Sequence, residues 1–140
     1  MTTTLLTRML LVGGLLHLAI TSAGFTMTFV LDWRRNLGAV NALTRHIIWT
    51  HAGFVLMTIV AFGVVSLACA ADLAAGSPLA RAICAFIACF WGVRLVIQFF
   101  LFDAKPHLTN GLLKVGYHGL TVVFTYFTLT YGLAAVMARS

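Results

Sequence analysis

Apolar residues along this chain run in long blocks, and most of the charges fall between the blocks rather than within them. Residues 9–31 form 23 consecutive positions without Asp, Glu, Lys or Arg, residues 46–71 form 26, and residues 115–138 form 24. A fourth block, residues 82–102, is 21 positions long and contains a single charge, Arg94. A helix needs about 20 predominantly apolar residues to cross a bilayer, so the pattern predicts four membrane spans. The alternating apolar and polar positions of a membrane barrel are absent, and backbone in hydrocarbon must satisfy its own hydrogen bonds. The expectation is therefore an all-α integral membrane protein: one domain over residues 1–140, with spans near 9–31, 46–71, 79–103 and 112–138.

Composition supports that reading. The chain is 61% hydrophobic and only 9% charged, against roughly 25% charged in soluble domains. Too little polar surface remains to cover a water-soluble fold. The first block is followed by small residues, as in a secretory leader. It continues to Leu31, however, and is read as a retained helix.

Short connections between four spans imply an antiparallel up-down bundle with both termini on one side, here side A. Side B then carries Arg34, Arg35, Arg45, Lys105 and Lys114, against Arg8, Arg81 and Arg139 on side A. This excess places B in the cytoplasm and both termini outside, in a bacterial inner membrane. The net charge of +6 sits mainly in these loops, where anionic headgroups account for it without nucleic acid. Gly38 is read as a helix stop, Thr44 as a cap, and Ser77–Pro78 as a helix start. Two stripes of small and polar residues suit close helix approach in lipid. One is Gly14, His17, Thr21, Gly24 and Thr28; the other is His118, Thr121, Thr125, Thr128 and Gly132.

Arg94 is the sharpest anomaly. It lies about 3 Å from the middle of its uncharged block at 1.5 Å per residue, while the hydrocarbon half-thickness is about 15 Å. An unpaired charge there costs at least ~2.5–3.5 kcal/mol. The chain has no glutamate, and its three acids, Asp32, Asp72 and Asp103, all lie in loops or at span ends. Gln98 lies one turn along and offers polarity without charge. Arg94 must bond to hydroxyls, carbonyls and water, or meet an anion from outside the chain: a lipid phosphate, a cofactor carboxylate or an acid on another subunit.

The histidines are the second anomaly. His51 and His118 fall about 11 and 13 Å from the centres of their spans toward side B. Matched imidazoles can ligate a haem iron axially, with Arg34, Arg35, Arg45 and Lys114 available to propionates. Ordinary interfacial hydrogen bonding is the alternative. A quinone site can also be drawn from Trp91, Arg94 and Gln98, with Tyr117 and His118 from the fourth helix. His17 lies inside the first span and joins the candidate cofactor residues. Carboxylate-rich di-iron chemistry is excluded by the missing glutamates, and no nucleotide loop or activated nucleophile is present. Cys69 and Cys84 both approach side A, where a disulfide can form if that side is oxidising.

The leading expectation is a non-enzymatic membrane subunit, packed in a larger complex or self-associated, that contacts lipid, cofactor or partner through Arg94. The alternatives are a small electron-transfer protein holding haem b through His51 and His118 or binding quinone, and a small transporter or oligomeric channel.

Overall fold

The structure, a computed structural model, describes residues 1–101 and 111–137. Among these residues the chain is all-helical, with no strand. The helices are α1 (Thr3–Val30), α2 (Trp33–Gly38), α3 (Ala42–Ala68), α4 (Ala70–Ala75), α5 (Pro78–Val96) and α6 (Gly111–Met137). A π-helical turn, Ile97–Leu101, continues α5. Four helices are long and apolar enough to cross a membrane: α1, α3, α5 with its π turn, and α6. The chain is an integral membrane protein by this measure, and its exposed Phe25, Phe29, Phe86, Phe99 and Phe100 suit lipid contact.

The helices run past the charges that bound the apolar blocks. Arg8, Arg45, Arg81 and Lys114 all lie inside helices. Hydrocarbon ends before the helix does, and long basic side chains carry their charge out to the interface. The connections also hold two short helices that the pattern does not reveal. Asp32, in the left-handed region at φ 46°, turns the chain between α1 and α2, a conformation that Asp tolerates better than most residues. Asn36 Nδ2 donates to the Leu31 carbonyl at 2.8 Å. Gly76, at φ 77°, closes α4, and glycine takes that left-handed position without steric cost.

Two of the expected helix signals hold. Ser77 Oγ accepts from the Ala80 amide at 3.2 Å with Pro78 in the first turn of α5, and α2 ends at Gly38. Thr44 does not cap α3. Asn41 Oδ1 instead accepts from the Thr44 amide at 2.9 Å, so the cap lies three residues earlier. The three cysteines are free, and the Cys69–Cys84 bridge is not formed.

The chain divides into two compact units, Gly14–Ala68 and Met1–Gly13 with Cys69–Ser140. In the first, α1 and α3 approach through glycine. A Cβ on Gly14 would lie 2.7 Å from Leu67 Cγ and 3.1 Å from the Gly63 carbonyl oxygen; one on Gly63 would lie 3.2 Å from the Gly14 carbonyl oxygen. His17 packs edge-to-face on Phe62 at 5.8 Å, and Trp33 meets Trp49 at 5.8 Å. The first small-residue stripe is thus a packing seam: Gly14 and His17 are buried, and Thr21, Gly24 and Thr28 half-buried.

In the second unit the seam of α6 is aromatic. Phe124, Phe127, Thr130, Tyr131 and Ala134 are its buried residues, while His118 and Thr125 of the expected stripe are exposed. The hydroxyls of Thr125 and Thr128 turn back to carbonyls of their own helix at 2.8 Å, leaving bulky rings to fill the interhelix space. Tyr126 Oη donates to the Met9 carbonyl at 2.8 Å, tying α6 to the start of α1. Arg81 Nε donates to the Ala135 carbonyl at 2.8 Å, tying the start of α5 to the far part of α6.

These contacts give a first test. Gly63→Val is expected to destabilise the detergent-solubilised protein by about 1–3 kcal/mol through overpacking. Gly53→Ala, at a position where a Cβ meets nothing within 4 Å, is expected to be neutral or mildly stabilising. Thermal unfolding followed by circular dichroism compares the two; equal stability would remove the glycine contact as a determinant.

Candidate functional site

The chemistry-bearing residues of the second unit gather where α5 passes into its π turn against α6. Partners along α6 advance as those along α5 recede: Gln98 meets Thr121, Arg94 meets Phe124, Trp91 meets Phe124 and Phe127, and Gly92 faces Thr128. Trp91 is 2% exposed and stacks on Phe124 at a centroid distance of 4.8 Å, with the planes 25° apart. It also leans on Phe127 at 4.9 Å. Burial of three large rings is the main apolar contribution at this contact.

Gln98 is 3% exposed. Its Nε2 donates to Thr121 Oγ1 at 2.5 Å, and Thr121 Oγ1 donates in turn to the Tyr117 carbonyl at 3.0 Å. Tyr117 Oη reaches back to the Gln98 carbonyl at 3.5 Å, the long limit of hydrogen bonding. Gln98 therefore pins the π turn to α6. A π turn misaligns the regular ladder of its helix, and such turns frequently mark functional positions.

Arg94 stands apart from this clamp. Although Gln98 is one turn along, Gln98 is buried and Arg94 is exposed. The guanidinium carbon lies 5.5 Å from the centroid of the Phe124 ring. Among the described residues Arg94 has no hydrogen-bond acceptor and no ion-pair partner. A cation over a phenyl face recovers ~0.5–2 kcal/mol, less than the ~2.5–3.5 kcal/mol minimum for an arginine at mid-membrane. The ring holds the charge in place without neutralising it.

The histidines divide between the units. His118 is exposed on α6, its ring edge-to-face with Tyr117 at 5.6 Å. His51 and His17 belong to the other unit. His51 is exposed, and its Nδ1 lies 3.0 Å from the Ile47 carbonyl. A carbonyl only accepts, so Nδ1 carries a proton in this contact. His17 is fully buried, within the packing against Phe62. Among the described residues no group of three or more His, Cys, Asp or Glu could hold a metal ion. His107 and Asp103 lie outside the described residues.

Sequence reasoning singled out Trp91, Arg94 and Gln98 but missed Phe124, the ring beneath the charge, and Thr121 as the partner of Gln98. Nothing in a linear pattern marks either, because both pairings cross between helices. Comparisons with protein-family models, curated proteins and solved structures find no match to this chain.

The clamp gives the second test. Gln98→Leu and Thr121→Val are each expected to lower stability by about 1 kcal/mol, with a coupling of roughly 0.5–1.5 kcal/mol in a double-mutant cycle, the range measured between membrane helices. Strict additivity would show that the two side chains do not act together.

Proposed function

We propose that this protein is a non-enzymatic subunit of a larger membrane complex, and that Arg94 is its point of contact with an anionic partner group. The observation that carries this reading is the exposed guanidinium of Arg94, seated on Phe124 with no acceptor among the described residues. An uncompensated charge in hydrocarbon is costly enough that it is normally paired or solvated in the working assembly. The opposed pairing order of α5 with α6, and of α1 with α3 through Gly14–Gly63 and Gly24–Leu56, supports antiparallel packing within each of these two pairs. In this proposal the spans alternate in direction, and the basic residues concentrated on side B put both termini outside an inner membrane.

A second reading is favoured by one observation. The His51 Nδ1 contact with the Ile47 carbonyl orients its imidazole as ligating histidines are oriented, with the other ring nitrogen held by a carbonyl. Under this reading His51 is a ligand to haem b, the role that its sequence position suggests for it and for His118, and the protein is an electron-transfer subunit.

Gentle extraction from the native membrane tests both. The subunit reading expects the chain to travel with the same companion proteins, in fixed ratio, through two independent separations; a homogeneous lone monomer would refute it. The haem reading expects a b-type signal in the reduced-minus-oxidised spectrum that is lost in His51→Ala and in His118→Ala. Full colour in both variants would exclude that ligand pair.

A further inference from the structure

Where the charge of Arg94 is held narrows what can meet it. The helix that carries it, Pro78–Leu101, has 24 residues, which puts the Arg94 backbone about 7 Å past the midpoint toward side B. That distance alone would let an arginine stretch toward the B headgroups. Helical side chains, however, tilt toward the N-terminus of their own helix, which for Arg94 is away from B and back toward the bilayer centre. The contact with Phe124, which lies level with Arg94 between the Gln98–Thr121 and Trp91–Phe127 pairings, keeps the guanidinium near the depth of its own backbone instead of extended toward B. Phe124 lies within three positions of the middle of the uncharged block 115–138. The guanidinium is thus parked beside the centre of one span rather than snorkelled from the end of another. On the opposite side, it lies sixteen positions along α5 from Pro78, about 24 Å of helix. The hydrocarbon ends about 15 Å from the centre and the headgroup phosphates lie outside that edge, beyond contact in either direction.

The anion must therefore be carried into the hydrocarbon on a segment that crosses it. A second copy of this chain cannot supply it: the chain has no glutamate, Asp32 and Asp72 lie outside the spans, and Asp103 is nine positions beyond Arg94 toward the loop. We propose that Arg94 is the docking point for a transmembrane helix of a different protein, one that bears an Asp or Glu near its own mid-span. The proposal rests on the subunit reading above and specifies the partner: heteromeric, helical and acidic at the bilayer centre. Exposed Val93 and Val96 flank Arg94 on α5, and exposed Val122 and Thr125 flank Phe124 on α6, giving an apolar surround in which an ion pair would be shielded from water.

The test uses the full chain, fluorescently labelled and reconstituted in phosphatidylcholine vesicles, with labelled leucine-rich single-span peptides as probes. The peptides carry a central Asp, a central Leu, or an Asp near one end. Energy transfer is expected to show the central-Asp peptide associating about tenfold more tightly than the other two, the scale of a polar contact between membrane helices. Arg94→Leu should abolish that preference, and Arg94→Lys should keep part of it. Equal association of the three peptides with the wild-type chain would overturn the proposal without any variant having to fold. A preference that survives Arg94→Leu would overturn it as well. Adding phosphatidylglycerol should leave the preference intact. If phosphatidylglycerol abolishes it, and native mass spectrometry finds that lipid retained by wild type but not by Arg94→Leu, the occupant is a headgroup and the proposal fails. Co-purification of native companions is measured separately, so this proposal can fail while the subunit reading stands.

Discussion

The guanidinium of Arg94, held over one phenyl ring, is the interaction on which the rest of this structure turns. The Phe124 ring offers Arg94 a fraction of what water would. That ring is itself gripped by Trp91, stacked at 4.8 Å. The tryptophan is buried because α5 and α6 meet through aromatic rings instead of small residues. Packing, rather than polarity, thus decides where the charge sits. The clamp from Gln98 to Thr121 then secures the π turn that follows, so α5 holds its register on α6 on both sides of Arg94.

The unit formed by residues 14–68 follows a different rule. There α1 and α3 meet through Gly14 and Gly63, whose missing side chains let the backbones approach. Lipid tails are as apolar as leucine, so apolarity alone gives helices no reason to associate in a membrane; close van der Waals contact does. Two solutions to that problem coexist in one small chain, a glycine seam in one unit and an aromatic seam in the other. The polar group worked into each differs accordingly. His17 is enclosed beside Phe62, whereas Arg94 is left facing out.

Much of this was legible in the sequence because it depends on composition along the chain. Four long apolar blocks require four helices, and Ser77–Pro78 marks a helix start through local chemistry that needs no tertiary knowledge. Gly14 and His17 fall on a three-four spacing, which sufficed to place them on a seam. The same spacing misled on α6, where His118 and Thr125 proved exposed. Threonine can satisfy its hydroxyl on its own helix, so its spacing says little about which face is buried. The short helices α2 and α4 escaped because six residues show no period. Phe124 beneath Arg94, and Thr121 opposite Gln98, are facts of interhelix register, which no single helix encodes.

The central claim is positional: the charge of Arg94 stays at mid-span, out of reach of the headgroups. Solid-state NMR on the protein in its native membrane, with Arg94 labelled at Cζ, measures this directly through dipolar coupling between that carbon and lipid phosphorus. The account predicts no coupling to phosphorus, together with a clear coupling to the labelled ring carbons of Phe124. Strong coupling to phosphorus, with none to the ring, would contradict it.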